Sequence, residues 1–218
     1  METMGKLLSV NVSLPKEVTY SGRAITTGIF KEPVAGRVML RKLNLDGDGQ
    51  ADLKGHAGIH KAAYVFPHEY YARWERALGR GPFPFGQFGE NFTVTGLTDE
   101  EVHVGDRFRA GGALVEVTQP RVPCAKLAIR MDEPGFLRPF MAEARVGYYL
   151  RVLEEGEVGS GDAIARVHAD PERMSVREMF KLLYHDEEKL EGAKRAQRIA
   201  ALSPGWRDAF GEILARAA

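Results

Sequence analysis

The amino-acid sequence predicts a mainly β fold, a barrel or a sandwich, followed by a small α-helical unit. The first observation is the distribution of glycine, because 21 of the 24 glycines precede residue 170 and only three follow it. The second is a series of short β-rich segments separated by glycine, proline or aspartate, which is typical of all-β folds. The third is a change to helical periodicity after "HADPERM". We therefore expect two units, residues 1–169 and 170–218, with the boundary near Asp170.

Nine segments of the first unit are predicted as strands from their β-rich composition. They are Leu7–Val12, Thr26–Phe30, Arg37–Asn44, Ala62–Phe66, Asn91–Val94, Arg107–Arg109, Ala113–Thr118, Tyr148–Val152 and Ala163–Val167. One helix is predicted among them, over residues 67–78, because proline suits a first helical turn. Tyr70, Trp74 and Leu78 recur there at four-residue spacing, which indicates one apolar helix face.

Three short helices are predicted in the second unit. The first follows Ser175, because "SVRE" is a capping-box pattern in which the serine and Glu178 satisfy each other's backbone amides. The second covers residues 187–201. The third begins with Ser203 as its cap and Pro204 in its first turn.

The first of these helices carries an apolar stripe formed by Val176, Met179 and Leu183. Three helices in about 45 residues form only a marginal core by themselves, so this stripe is expected to cover another surface. The alternatives are the β-rich unit, a second copy of the chain in a homodimer, or a redox partner.

Composition excludes several classes of function. Thirty basic and thirty acidic residues give a formal net charge of zero, which argues against bulk binding of nucleic acid polymers or anionic membranes. The N-terminal segment lacks the pattern of a signal peptide, and no apolar run approaches the length of a membrane span. A single cysteine provides no disulfide framework and fits a reducing compartment. We expect a cytoplasmic protein.

The single cysteine lies in "QPRVPCAKL", residues 119–127. A lone cysteine is most often a small buried apolar residue, and that alternative stays open. The flanking cations, Arg121 and Lys126, favour the reactive thiolate form of Cys124. Pro120 and Pro123 make the connection stiff, which suits a side chain that must be held in one direction.

Two further stretches have compositions that suit an anion site. "SGRAITTGIFKEPVAGRV", residues 21–38, supplies Arg23, Thr27 and Lys31, which are residue types that bind phosphate. "DGDGQADLKGHAGIHKAAY", residues 46–64, places glycines and cationic side chains immediately before a strand, where backbone amides can approach an anion. Solvated surface loops are the alternative for both stretches. The second stretch lacks the glutamate of a calcium loop and the pattern of a zinc protease.

Taken together, five ordered motifs resemble MOSC-domain proteins of the YiiM-like group. They are "SGRAITTGIFKEPVAGRV", "GDGQADLKGHAGIHKAAY", "GENFTVTGL", "VGDRFRAGGALVEVTQPRVPCAKL" and "GYYLRVLEEGEVGSGD". The similarity covers roughly residues 5–168, and the tail looks like the three-helix module of that group. The resemblance implies a MOSC β-barrel-like domain with a few helices, plus the small α-helical unit. Relative to the usual pattern the sequence departs at Ala57 and His60.

The resemblance also implies a site for the molybdenum cofactor, a molybdopterin. Cys124 corresponds to the cysteine that binds molybdenum, and thiolate is a suitable soft ligand. His56 corresponds to the loop histidine of the family, and we expect it to donate a proton because histidine titrates near neutral pH. The expected cofactor-binding residues, several of them suited to the phosphate of the pterin, are Arg23, Thr27, Lys31, His60, Lys61, Asn91, Arg121 and Lys126.

Relatives with this pattern reduce N-hydroxylated compounds, including base analogues such as 6-N-hydroxylaminopurine, with electrons from a separate flavin or NAD(P)H reductase. The resemblance therefore implies an N-hydroxylamine reductase. One alternative is a carrier of sulfur or of molybdenum cofactor. No lysine-bearing pyridoxal phosphate domain is present in the sequence, so we expect no bound pyridoxal phosphate. A second alternative is a small-anion binding module with a structural cysteine.

Overall fold

The computed structural model describes residues 2–51, 58–185 and 189–217. In these ranges the chain forms twelve strands and six α-helices. The strands are β1 (Glu2–Val12), β2 (Lys16–Tyr20), β3 (Arg23–Thr27), β4 (Glu32–Pro33), β5 (Arg37–Leu40), β6 (Ala63–Pro67), β7 (Phe92–Thr95), β8 (Arg107–Ala110), β9 (Ala113–Pro120), β10 (Tyr148–Glu154), β11 (Gly156–Gly159) and β12 (Ala163–His168). The helices are α1 (Tyr71–Leu78), α2 (Ala125–Arg130), α3 (Leu137–Glu143), α4 (Val176–Tyr184), α5 (Lys189–Arg198) and α6 (Pro204–Arg216).

Seven strands of the described chain close into a mixed barrel. Their order is β1, β7, β6, β10, β9, β8 and β12, and β12 pairs again with β1. The β6–β7 pair is parallel, and the other pairings around the barrel are antiparallel. Closure pairs the edge strands that an open sheet would expose. The predicted fold class, a mainly β barrel with a small helical unit, is confirmed.

Apolar side chains fill the interior of the barrel. Val65, Phe92, Phe108, Tyr148 and Ile164 are among the inward-facing side chains, each less than 5% exposed, and the space left between the interior side chains is only about 20 Å³. A barrel of this strand number is wide enough for its own side chains and little else. A ligand site of useful size must therefore lie outside the barrel wall.

The C-terminal unit packs directly against the barrel. Val176 N donates to Val102 O at 2.9 Å, and Val104 N donates to Met174 O at 3.0 Å. Val176 and Met179 are fully buried within the same apolar cluster as the barrel core. The predicted stripe therefore covers the β-rich unit, which was the first of the three alternatives. The homodimer and the separate reductase as partners stay predictions.

The β-region differs from the predicted strands in several places, and β2, β4 and β11 were not predicted. The strand predicted over Thr26–Phe30 ends at Thr27 and is the second strand of a hairpin, β2–β3, in which Tyr20 pairs with Arg23. Ser21 and Gly22 form its two-residue turn with φ values of 50° and 75°, a left-handed conformation that suits tight hairpins. The strand predicted over Arg37–Asn44 is shorter and ends at Leu40, because the chain turns back there.

The helices also differ in detail from the prediction. Residues 68–70 form a 3₁₀ turn before α1, and α5 ends at Arg198, before the predicted end at residue 201. Ser175 caps α4 by accepting from Glu178 N at 3.0 Å, while the carboxylate of Glu178 pairs with Arg195. Ser203 occupies the predicted cap position of α6, but its hydroxyl makes no capping hydrogen bond. The sequence prediction missed α2 and α3 entirely.

Among the helices that the structure describes, none combines the length and the apolar character needed to cross a membrane.

Met179→Ala should destabilise the whole chain, because the fully buried Met179 belongs to a core shared by both units. We expect a loss of about 2–5 kcal/mol in the free energy of unfolding. Tryptophan fluorescence, which comes from Trp74 in α1 and Trp206 in α6, and far-ultraviolet circular dichroism should report one common denaturant transition. Lys181→Ala, on the same helix, is the control and should change little. Two separate transitions in the variant would contradict a shared core.

Candidate functional site

A row of three side chains crosses the outside of the barrel. Tyr149 on β10 pairs with Tyr64 on β6 and with Gln119 on β9. Neighbouring residues of a strand face opposite sides of a sheet. Since Val65 and Tyr148 line the barrel interior, the row faces outward. These three strands therefore form the rigid floor on which the site is built.

Arg121 lies at the end of this floor, directly after β9. Its backbone amide donates to Gly147 O at 2.9 Å, which continues the pairing of β9 with β10. Its guanidinium lies 4.4 Å from the ring centroid of Tyr64 and donates through Nη1 to Phe88 O at 2.7 Å. The side chain is buried, so these contacts replace its hydration and fix its direction.

Cys124 follows on the connection from β9 to α2. It occupies the N-cap position of α2 with an extended backbone and is partly exposed. Arg121 and Cys124 interact electrostatically. Burial alone would lower the pKa of Arg121, but Tyr64, Tyr149 and Cys124 outweigh burial, so the pKa of Arg121 is raised. A permanently charged guanidinium therefore stands beside the thiol, and such an environment favours thiolate.

A small cavity of about 80 Å³ lies beside Cys124. The part of its lining that the structure describes contains four cationic side chains, Lys31, Lys61, Arg121 and Lys126. Thr27 and Asn91 line the same cavity and are buried. Clustered cations with hydroxyl and amide groups match the chemistry of an anion such as phosphate. We refer to this space as the cationic cavity.

A hydrogen-bond network supports the buried end of the cationic cavity. Lys31 pairs with Asp48, whose Oδ2 accepts from Asn91 Nδ2 at 2.9 Å and whose Oδ1 accepts from Ser13 N at 2.9 Å. Asn91 Oδ1 in turn accepts from Tyr64 N at 3.1 Å, which ties the network to β6. Burial lowers the pKa of Lys31, and the neighbouring carboxylate of Asp48 opposes that effect.

A second and larger space, of about 800 Å³, lies between the barrel and the C-terminal helices. Cys124, Lys61 and Tyr149 line both this groove and the cationic cavity, so the two spaces meet at the cysteine. We refer to the larger space as the interdomain groove. Lys61 places its ammonium 5.9 Å from the ring centroid of Tyr149 at the boundary.

His60 lines the interdomain groove rather than the cationic cavity. It belongs to a 3₁₀ turn, Ile59–Lys61, that precedes β6, and its carbonyl accepts from Thr118 Oγ1 at 2.7 Å. Burial lowers the pKa of His60, and the charge of Arg151 lowers it further. The imidazole is therefore held in its neutral form near neutral pH.

The structure brings together most of the residues that the sequence singles out. Cys124 and six of the eight expected cofactor-binding residues line the cationic cavity; the six are Thr27, Lys31, Lys61, Asn91, Arg121 and Lys126. Arg23 is exposed at the tip of the β2–β3 hairpin and does not line either space. His56, the expected proton donor, lies outside the described residues.

The sequence analysis did not identify Tyr64, Tyr149 and Gln119 as site residues. Tyr64 and Tyr149 lie in segments correctly predicted as strands, where an aromatic residue is expected in the core. The sequence signal that could have identified the two tyrosines is the alternation of side-chain direction along a strand. Each tyrosine lies next to residues that fill the barrel, so it faces outward. The pairing that aligns the three side chains depends on distant strands and is not visible in local sequence.

The fold and the site define a closed mixed β-barrel protein with an anion-type cavity and a thiol at the rim of that cavity. The sequence pattern of the MOSC domain family matches residues 52–165, and that of the YiiM-like 3-alpha helix domain matches residues 174–217. The chain belongs to the MOSC domain family and carries the YiiM-like helical domain. MOSC domains in general are associated with binding of the molybdenum cofactor.

Similar proteins come from bacteria and a fungus. YflK of Bacillus subtilis (strain 168) is 42% identical over 204 residues, which cover 94% of this chain and 92% of YflK. The crystal structure of YiiM from Geobacillus stearothermophilus superposes with a TM-score of 0.81 at 35% identity, covering 96% of this chain and 99% of that one. A protein named Reductase from Gibberella moniliformis (strain M3125 / FGSC 7600) is 31% identical over 182 residues, which are 82% of this chain but 32% of that protein.

The residues present fit a molybdenum cofactor. Cys124 offers one soft sulfur ligand, and the cationic cavity beside it suits the phosphate of the pterin. No group of three or more His, Cys, Asp or Glu side chains in the described ranges is placed to hold a metal ion.

Arg121→Gln should slow the alkylation of Cys124 by iodoacetamide at neutral pH. The thiolate is the reacting form, and Arg121 provides a buried positive charge that stabilises it. Mass spectrometry of the protein over time measures the rate. Arg23→Gln removes the same charge from an exposed position and should leave the rate unchanged. Equal rates in all three proteins, with unchanged melting temperatures, would rule out the electrostatic role of Arg121.

Proposed function

We propose that this chain is a molybdenum cofactor-dependent reductase of N-hydroxylated compounds that takes electrons from a separate flavin or NAD(P)H reductase. The observation that carries the proposal is the position of Cys124, on the boundary between the cationic cavity and the interdomain groove. The reductase named among the relatives supports the same class of reaction.

The two spaces suit two different ligands. The cationic cavity offers four positive side chains, which match an anionic group of the cofactor. The interdomain groove offers Tyr149, Tyr184 and Trp206 together with a few polar groups, which is the usual composition of a small-molecule site. Cys124 touches both spaces, so a metal bound to its sulfur would face a substrate in the groove.

When bound, the cofactor supplies the two-electron chemistry that reduces the N–O bond. The overall reaction consumes two electrons and two protons, and it converts R–NH–OH into R–NH₂ and water. The protein holds the cofactor through Cys124 Sγ and the phosphate-type contacts of Lys31, Lys61 and Arg121. β9 and α2 fix the two ends of the connection that carries Cys124, and this holds the thiol in one direction.

The reaction needs one proton at the departing oxygen, which leaves as water, and one at the nitrogen, which becomes the amine. We assign proton donation to the His56 imidazole, as the sequence resemblance implies. His60 is kept neutral by burial and by Arg151, so it serves better as a hydrogen-bonding group than as a cationic acid.

Cys124→Ser should abolish reduction of N-hydroxylated compounds and leave the fold intact. The hydroxyl keeps the size of the side chain but is a poor ligand for this metal. The protein is produced in cells with and without cofactor biosynthesis, and its molybdenum content and turnover of 6-N-hydroxylaminopurine are measured.

We expect turnover only in wild-type protein from cells that make the cofactor, whereas Cys124→Ser from the same cells should still bind molybdenum cofactor through the cationic cavity but show no turnover. Substantial turnover by Cys124→Ser would refute ligation by the cysteine. Molybdenum without turnover in the wild-type protein would identify a carrier instead, and wild-type protein without molybdenum would identify a binding module.

Lys61→Ala should weaken cofactor retention by about ten- to a hundredfold, because one charge-assisted hydrogen bond contributes about 1.5–3 kcal/mol. Its melting temperature should change little. Arg23→Ala is the matched control, since Arg23 lies outside the cavity. The molybdenum remaining after gel filtration at low concentration measures retention. Equal retention of molybdenum by Lys61→Ala and Arg23→Ala would show that the phosphate binds outside the cationic cavity.

A further inference from the structure

One buried carboxylate lies directly behind the lining of the cationic cavity. It belongs to Asp48, whose side chain has no exposed surface, and it pairs with Lys31, whose side chain is 9% exposed and lines the cavity. Asp48 itself is not part of the described lining. A negative charge at this place is unexpected, because it repels the anion that the four cations would bind. The carboxylate therefore needs a role that outweighs this repulsion.

Hydrogen bonds hold this carboxylate in one position. Its Oδ1 accepts from Ser13 N at 2.9 Å and from the ammonium of Lys31, and its Oδ2 accepts from Asn91 Nδ2 at 2.9 Å. Ser13 directly follows β1, and Asn91 directly precedes β7. Asp48 is thus tied to two strands of the barrel, and it in turn holds two side chains that line the cavity, Lys31 and Asn91.

The charge of Lys31 depends on the groups around it. Burial is the largest effect and lowers the pKa of Lys31, and the like charge of Arg121 lowers it further. Asp48 opposes both through its charge and its hydrogen bond, and the charge of Glu90 adds a smaller effect in the same direction. Arg130 reaches only the backbone carbonyl of Lys31, at 3.5 Å. Without Asp48 the ammonium would be a buried cation with no paired carboxylate, which favours the neutral amine.

We propose that Asp48 is a positioning residue of the anion site, and that its carboxylate keeps the Lys31 side chain charged and in place at the cationic cavity. Asp48 acts through Lys31 and Asn91 and does not touch the ligand. Its net effect on anion binding is therefore favourable, although its own charge has the opposite effect. The inference rests on the proposed function only where it takes the anion to be the phosphate of the cofactor.

Asp48→Asn tests the proposal, because it removes the charge and keeps the size of the side chain. The full chain is produced in cells without cofactor biosynthesis and titrated with sulfate, and amide NMR signals measure the affinity. We expect sulfate to bind about tenfold more weakly at neutral pH, about as weakly as to Lys31→Met. Asp46→Asn is the matched control and should change little, because it removes the same charge from an exposed side chain that pairs with Arg41.

The pH dependence separates this role from a merely structural one. In Asp48→Asn the Lys31 amine should lose its proton as the pH rises and regain it as the pH falls, so sulfate affinity should recover in mild acid. Sulfate itself stays a dianion over this range. Lys31→Met has no amine to titrate and should show no such recovery. Lys31→Arg combined with Asp48→Asn should restore most of the affinity at every pH, because arginine keeps its charge without a partner.

The NMR signal of the Lys31 Cε carbon reports the protonation of the amine directly. Lysine labelled with carbon-13 is incorporated, and the Lys31 signal is assigned by its absence from Lys31→Met. We expect the charged form at neutral pH in the wild-type protein, and a titration midpoint lower by about one pH unit or more in Asp48→Asn. If Asp48→Asn does not fold, the wild-type protein decides alone: a neutral Lys31 amine at neutral pH would overturn the proposal.

Other outcomes also overturn the role of Asp48. Sulfate affinity in Asp48→Asn that equals or exceeds that of the wild-type protein at every pH would show that the carboxylate only repels the anion. Weaker affinity without recovery in acid, with an unchanged Lys31 signal, would show a purely structural role. Wild-type protein that does not bind sulfate would overturn the anion site itself. If sulfate binding follows the expected order but the loaded protein reduces no N-hydroxylated compound, the proposed reaction fails and the role of Asp48 stands.

Discussion

The hydrogen-bond register of β6, β10 and β9 is the constraint on which the site depends. It places Tyr64, Tyr149 and Gln119 in one outward row and leaves the alternate residues to fill the barrel. A shift of one residue would exchange the two faces, sending aromatic and polar side chains inward and core residues outward. The core therefore fixes the register, and the register fixes the floor of the site. Arg121 and Cys124 follow from it because they continue directly from the end of β9.

The buried cations of the site lower the stability of the folded protein. Lys31 and Arg121 are buried, and a buried cation is costly unless it is paired. Asp48 pairs with Lys31, whereas Arg121 relies on a carbonyl and an aromatic face. The four cations that line the cavity also repel one another, and a bound phosphate would offset that repulsion. This arrangement is typical of a site whose charges are arranged for a ligand rather than for the empty protein.

Local sequence predicted the barrel and most of the cavity because those signals are local. Strand composition, the flanking cations of Cys124 and the phosphate-binding types around Lys31 could be read from short segments. Helices α2 and α3 were missed because they are short, and α3 contains a proline that normally argues against a helix interior. Arg23 was included by its residue type, but the hairpin turn carries it away from the cavity. The interdomain groove could not be predicted, since it exists only where distant segments meet.

The account gives Cys124 a direct bond to molybdenum, and X-ray absorption at the molybdenum edge tests that bond. The measurement compares wild-type protein and Cys124→Ser, both loaded with cofactor and matched for molybdenum content. We expect the variant to show one sulfur neighbour fewer than the wild-type protein, with the remaining sulfur neighbours unchanged. Identical sulfur shells in the two proteins would contradict the account, because the metal would then take no ligand from Cys124.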